Sequence, residues 1–281
     1  MTDAPGSWRL IVGTGSDRTG DGGGRPADTA APGARNMAVD EVLLESVLQG
    51  GPPALRFYTW DPACLSLGRN QCARDLYDPG RAAAAGIDIV RRPTGGLAVL
   101  HDRELTYCVA APLTPFGGPR AAYAGINRAL VEGLRRFGVA AEQATGMRAR
   151  GPLHGATEPC FHSPAAGEVV ARGRKLVGSA QRCEHGALLQ HGSILLSGSQ
   201  TRVLDLMTRP DQEGYAADRS ITLEDLTGAP VCVAGLIDAL RTGFERIFGT
   251  RLAPGRLDQR ENDRAEQLAG RYGADEWTWR R

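Results

Sequence analysis

Lysine is almost missing from this chain. Of its 33 basic residues only Lys175 is a lysine, and the other 32 are arginines. A codon bias toward arginine explains the 32 but not the survivor, because an exposed lysine is freely replaceable whereas a compact ammonium of tunable pKa is not. Lys175 is therefore a site candidate before any motif is considered. Long apolar runs are missing too: none approaches the roughly 20 residues that span a bilayer. Residues 1–8 lack the basic and apolar regions of a signal peptide. Charge of one sign is not in excess, with 33 basic against 32 acidic side chains and a net charge of +1. That balance argues against broad electrostatic binding to nucleic acid or an anionic membrane. A cytoplasmic protein with neither kind of partner is expected. Six cysteines, Cys64, Cys72, Cys108, Cys160, Cys183 and Cys232, form no CxxC pair. With His101, His154, His162 and His185 they give no metal-ligand spacing. Free thiols are expected, and no metal.

What is present is an ordinary globular composition, 42% hydrophobic and 23% charged over 281 residues, enough to bury a core without disulfides. Residues 8–12 read as a first strand, followed by a Gly/Pro/Asp-rich stretch at 13–33 with too few apolar residues to pack. From Asn36 the spacing of Met37, Val39, Val42, Leu43, Leu44 and Val47 predicts a helix that stops at Gly50 and Gly51. Strands are predicted at 54–60, 64–67, 87–92, 97–100 and 104–111, with the end of a helix near 81–85 and a full helix over 122–137. Residues 169–196 form a dense β region, and helices follow at 231–248 and 258–272. No second hydrophobic core is evident. The fold class is α+β, with mixed β-sheets flanked by helices. The organisation expected is an N-terminal strand and loop (1–35), a catalytic domain (36–250) and a C-terminal helical extension (251–281).

Three segments could carry chemistry. Arg91-Arg92-Pro93-Thr94-Gly95-Gly96, with His101 beyond it, sets two glycines between strands, where backbone N–H groups can approach an acyl, phosphate or carboxylate group. On its own the Gly-Gly pair reads more simply as a tight turn. Gly173-Arg174-Lys175-Leu176-Val177-Gly178-Ser179-Ala180-Gln181 runs a strand bearing the lone lysine into small residues that leave room for a chain to pass. Gln190-His191-Gly192-Ser193-Ile194 follows, and His191 alone suits a structural role as well as a base.

Together these segments, in this order and at these separations, resemble the biotin/lipoate protein ligase superfamily, which includes lipoate ligases, lipoyl-domain octanoyltransferases and biotin ligases. The resemblance covers residues 36–196 and weakens toward the end of the chain. Within the superfamily Cys160, in Glu158-Pro159-Cys160-Phe161-His162 and fifteen residues before Lys175, matches the cysteine of the LipM type of octanoyltransferase. The resemblance implies that Cys160 forms an acyl-enzyme and that Lys175 lowers its pKa. A free thiol is only a few per cent ionised at neutral pH, so a nearby ammonium raises the reactive fraction.

The implied donor is octanoyl-acyl carrier protein and the implied acceptor a lysine of a lipoyl domain such as glycine cleavage H protein, with no cofactor and a monomeric enzyme. Arg92, Thr94, Gly95, Gly96 and His101 are expected along one side of the acyl pocket, and Gly178, Ser179, Ala180, His191 and Gly192 along the other. Leu97 stands where the family commonly has a third glycine or an arginine. An ATP-using ligase wants a polar phosphate cradle there, so the leucine favours an acyl-carrier donor. Two other readings stay open: an ATP-dependent lipoate-protein ligase, in which Cys160 is incidental, and a non-catalytic protein that binds acyl groups or lipoyl domains.

Overall fold

A computed structural model describes residues 7–13, 30–145, 167–209 and 219–281. The chain runs through β1 (Trp8–Gly13), α1 (Gly33–Leu48), β2 (Ala54–Tyr58), β3 (Cys64–Leu67), α2 (Pro79–Ala84), β4 (Asp88–Arg91), β5 (Val99–His101) and β6 (Glu104–Pro112). It continues with α3 (Pro119–Arg136), β7 (Ala141–Gln143), β8 (Val169–Ala171), β9 (Arg174–Glu184) and β10 (Ala187–Leu195). The last elements are α4 (Leu223–Thr227), α5 (Val233–Phe248), β11 (Leu252–Pro254), α6 (Gln259–Tyr272) and α7 (Asp275–Thr278).

The strands form two sheets. The larger has eight strands in the order β11-β1-β2-β6-β10-β9-β8-β7, and the smaller has three, β4-β3-β5. In the larger sheet β1 is parallel to both β11 and β2, and the remaining pairs are antiparallel. The fold is thus α+β with mixed sheets.

Each face of the larger sheet is covered by a helix pair. On one face Ile126, Leu130 and Leu134 of α3 pack with Leu236, Leu240 and Phe244 of α5 over Leu105, Tyr107 and Val109 of β6. On the other, Val42, Leu43 and Leu44 of α1 pack with Ala265, Leu268 and Tyr272 of α6 over Cys108 and Ala110. Alternate residues of β6 therefore serve opposite cores, as the two-residue period of a strand requires. A third cluster, with Leu65, Leu67, Tyr77, Leu100 and Leu206, fills the space behind the smaller sheet. The expectation of one core is corrected here: nearly every position of β6 is buried, so the sequence shows no alternation from which two faces could be separated.

Several boundaries also move. The alanine-rich run at 81–85 belongs to a short complete helix, started by Pro79 and by Asp78, whose side chain accepts from the amides of Gly80 and Arg81. The loop expected at 13–33 falls mostly on 14–29, outside the described residues, while Ala31 bridges Trp60 and Gly33 opens α1. Residues 251–281, expected as an extension, contribute edge strand β11 to the larger sheet and pack α6 on α1. Asp258 and Glu261 close a reciprocal capping box that starts α6.

Candidate active site

The two sheets face each other across a cleft. Ser66 of β3, Arg92 just past β4, and Val99 and His101 of β5 make one wall. Gly178, Ser179 and Ala180 of β9 with His191, Gly192 and Ser193 of β10 make the other, while Met37, Tyr58, Trp60 and Thr106 close it. The second wall is hollow for a simple reason. Strand register pairs His191 with Ala180, Gly192 with Ser179 and Ser193 with Gly178, so five of the six residues are glycine, alanine or serine on adjoining strands around the histidine. A Cβ on Gly192 would run into the Gly178 carbonyl oxygen and the Tyr107 ring. The space inside the cleft open to a water-sized molecule is about 30 Å³.

Seven of the ten residues expected along the acyl pocket thus line this cleft: Arg92, His101, Gly178, Ser179, Ala180, His191 and Gly192. Thr94, Gly95 and Gly96 stand behind it and are held by hydrogen bonds. Arg92 donates to the carbonyls of Gly95 (2.8 Å) and Leu97 (2.7 Å), to the Ser66 carbonyl (2.8 Å) and to Ser66 Oγ (3.1 Å). Gly96 has φ +95°, and a Cβ there would meet the Arg92 guanidinium. Gly68 packs so tightly on the Gly96 carbonyl that position 68 admits no side chain. Gly96 is therefore the close-approach position of the pair, under the Arg92 guanidinium, whereas a Cβ on Gly95 would meet nothing within 4 Å.

Two chains of carboxylate, imidazole and hydroxyl cross from the larger sheet and α1 to the smaller sheet. In the first, Asp40 of α1 accepts from Arg56 Nη1, Tyr58 Oη and His191 Nδ1, each at 2.8 Å, and His191 Nε2 meets Thr94 Oγ1 at 2.6 Å. Burial pushes the Asp40 carboxyl up, but the hydrogen bond from His191 and the charge of Arg56 outweigh it and hold Asp40 below its ordinary value. A carboxylate only accepts, so His191 carries its proton on Nδ1. Burial holds the imidazole below its ordinary pKa against the pull of Asp40, so the ring is neutral and Nε2 accepts from the Thr94 hydroxyl.

In the second chain, Glu104 Oε1 pairs with His101 Nδ1 (2.7 Å) and accepts from Thr106 Oγ1 (2.6 Å), while Trp60 Nε1 donates to Thr106 Oγ1 (2.7 Å). Ser66 Oγ meets His101 Nε2 at 2.7 Å, and the Trp60 indole stacks on the His101 ring with centroids 4.0 Å apart.

Lys175 lies on β9 just before the small residues and is 1% exposed. Its Nζ donates to Glu168 Oε1 at 2.9 Å, and it is not among the described residues lining the cleft. A polar path joins the two places. Ser179 Oγ meets Tyr107 Oη (2.7 Å), Gln190 Nε2 donates to Tyr107 Oη (2.9 Å) and to Asn127 Oδ1 (3.2 Å), and Asn127 donates to the carbonyl of Gly167, next to Glu168 (2.8 Å). Cys160, His154 and His162 lie outside the described residues. Cys64 and Cys108 are buried and their thiols are pushed up by that burial; Cys72, Cys183 and Cys232 are exposed.

Sequence reasoning passed over Asp40, Ser66, Glu104, Tyr107, Glu168 and Gln190 as site residues. Asp40 carried a usable signal: it interrupts the apolar stripe Met37, Leu44 and Val47 on one helix face, where a carboxylate demands buried partners.

A cleft between a large and a small mixed sheet, walled by a clamped glycine loop and by small residues downstream of a buried lysine, defines a catalytic domain of the biotin/lipoate ligase type. Residues 32–245 match the lipoyl protein ligase A/B catalytic domain, and the chain belongs to that family. It is 42% identical to octanoyltransferase LipM of Kyrpidia tusciae over 268 residues, spanning 88% of this chain and 95% of that protein. Octanoyltransferase LipM of Symbiobacterium thermophilum is 39% identical over 264 residues, 89% of this chain and 95% of the relative. Among solved structures, a bipartite archaeal lipoate protein ligase, described with its E2 lipoyl domain from Thermoplasma acidophilum, superposes with a TM-score of 0.74 at 21% identity, covering 97% of this chain and 96% of that one.

Proposed function

We propose that this chain is an octanoyltransferase of lipoate biosynthesis that uses Cys160 as nucleophile and Lys175 as its activator. The observation that carries the reading is the near-full-length identity to two octanoyltransferases of the LipM type. The donor is octanoyl-acyl carrier protein, and the acceptor is a lysine of a lipoyl domain such as that of glycine cleavage H protein. The archaeal ligase of the same fold, described with an E2 lipoyl domain, supports an acceptor of that kind.

The Cys160 thiolate attacks the donor thioester and releases the carrier thiol, which takes up a proton. This exchange of nearly equal bonds needs no ATP. The acceptor amine then attacks the stored thioester, forming an amide, releasing the thiolate and losing a proton. The carbonyl oxygen gains charge in both halves, and the Lys175 ammonium is suited to steady it. The acyl chain lies in the cleft against Gly178, Ala180 and Gly192, with Arg92, Thr94, Gly95, Gly96, His101, Ser179 and His191 bordering it.

Incubation with octanoyl-acyl carrier protein without ATP, followed by intact-mass measurement, tests this. Wild type gains one octanoyl group and Cys160→Ser gains none. Product formed only from free octanoate with ATP assigns a ligase instead, and no product from either donor assigns a binding protein.

A further inference from the structure

The cleft is nearly full. Its free space of about 30 Å³ holds roughly one or two water molecules and not an eight-carbon chain. All of its lining residues are buried except Ser179 and Ala180, which mark the mouth. An acyl chain that enters there has to displace a lining side chain. Most of the large ones are held. Tyr58 donates to Asp40 (2.8 Å) and lies under the Arg56 guanidinium, 3.8 Å from the ring centroid, and Trp60 donates to Thr106 (2.7 Å) while stacked on His101. Arg92, His101 and His191 are each hydrogen-bonded at two or more side-chain atoms. Val99 is short, and its branched Cβ restricts χ1.

Met37 is different. It is 1% exposed, reaches the cleft from α1, and has three rotatable bonds and no polar group that requires a partner. The backbone beneath it is pinned. Asn36, just before it, donates to the carbonyls of Ala31 (2.9 Å) and Thr59 (3.1 Å) and accepts from Arg56 (2.7 Å). Asp40, one turn further on, accepts from Arg56, Tyr58 and His191. With α1 tied on both sides of Met37, its side chain alone is left to turn between staggered rotamers.

We propose that Met37 is the yielding floor of the acyl site: its side chain fills the cleft of the free protein, turns aside when a medium-length fatty chain enters, and sets the length that fits. That the guest is a fatty acyl chain rests on the transferase reading above. An unbranched thioether suits the task, because it keeps the cleft packed yet adapts its shape to what arrives.

The test probes the full chain with saturated fatty acids from butanoate to dodecanoate, whose binding requires neither Cys160 nor transfer. Protein labelled with ¹³C in its methionine methyls gives four signals, from Met1, Met37, Met147 and Met207, and Met37→Leu identifies the second. Octanoate should shift the Met37 signal and leave that of Met207, which packs behind the smaller sheet, where it is. Calorimetric titration then reads the length preference. Met37→Ala should raise the affinity for decanoate relative to octanoate about tenfold, the worth of roughly two buried methylenes. Met37→Ile, which keeps the bulk but stiffens χ1, should weaken octanoate binding about tenfold and butanoate binding less. Octanoate binding with an unmoved Met37 signal overturns the proposal, because the cleft then opens by another route. So do unchanged length profiles in both variants, a uniform loss at every length, or no binding of any acid. The transferase reading is judged apart, by the octanoyl adduct on Cys160. Acids that bind and move Met37 without any adduct on wild type leave the floor standing and the reading fallen, and an adduct with unchanged length profiles does the reverse.

Discussion

His191 and Thr94 join the floor of the cleft to its glycine loop through one hydrogen bond of 2.6 Å, from a hydroxyl to the free nitrogen of a buried, neutral imidazole. Asp40 decides the direction of that bond by claiming the other ring nitrogen. The three residues are separated by 54 and 97 positions in the chain and come from α1, a loop and β10.

Removing the hydroxyl should expose this dependence. Thr94→Val leaves His191 Nε2 buried without a donor, at a cost of about 1–3 kcal/mol. Urea unfolding should register the loss, and KM for the acyl donor should rise more than kcat falls. Thr94→Ser should recover both. Equal kinetics in the valine and serine variants would rule out a role for the bond in shaping the cleft.

The same pair sets an acid limit. The folded His191 has a pKa below that of the unfolded chain, so below about pH 6.5 the unfolded state binds the extra proton first and stability falls as pH drops toward the lowered value. Asp40, also lowered, adds a loss in the same direction at still lower pH. Melting temperature should therefore decline from pH 7 to pH 5, and His191→Gln should flatten that decline. A wild-type profile that is level over this range would contradict the neutral, buried ring.

The proposed function gives Lys175 two separable duties, pairing with Glu168 and activating Cys160. Lys175→Met takes the ammonium away from the buried Glu168 carboxylate, which for a buried pair costs about 3–5 kcal/mol. The double variant Lys175→Met/Glu168→Leu should regain much of that stability, measured by thermal melting, yet remain unable to accumulate the octanoyl adduct on Cys160. Adduct formation by the double variant at the wild-type rate would remove the lysine from the chemistry.

Gly192→Ala places a methyl group against the Gly178 carbonyl and the Tyr107 ring. Overpacking of this kind costs about 1–3 kcal/mol. In acyl-transfer assays across a series of chain lengths the variant should lose octanoyl before butanoyl. A uniform loss over the whole series would mean that the small residues of β9 and β10 do not contact the acyl chain.

Helices with a regular period were legible from sequence because each sends every third or fourth residue to a core; α3, α5 and α6 are cases. The lone lysine and the glycine loop were legible because their composition is unusual. Glu168 was not, since its pairing with Lys175 depends on how β8 turns into β9 and no spacing rule marks it. Ser66 and Glu104 look like ordinary strand residues until β3, β5 and β6 bring them to the two nitrogens of one imidazole. β11 is three residues long and owes its conformation to β1. Cys160 lies outside the described residues, so its approach to Lys175 rests on the adduct experiment.

The larger sheet is packed by α1, α3, α5 and α6 and the smaller by Leu65, Tyr77 and Leu206 on its far side, while Cys64 of β3 and Val90 of β4 join the α1 cluster. Under the proposed function, a substitution at a partly exposed wall position such as Ala180 retunes which fatty chain fits while sparing the buried clusters. Descendants of such a scaffold can drift in cargo length without first acquiring compensating changes in foldedness.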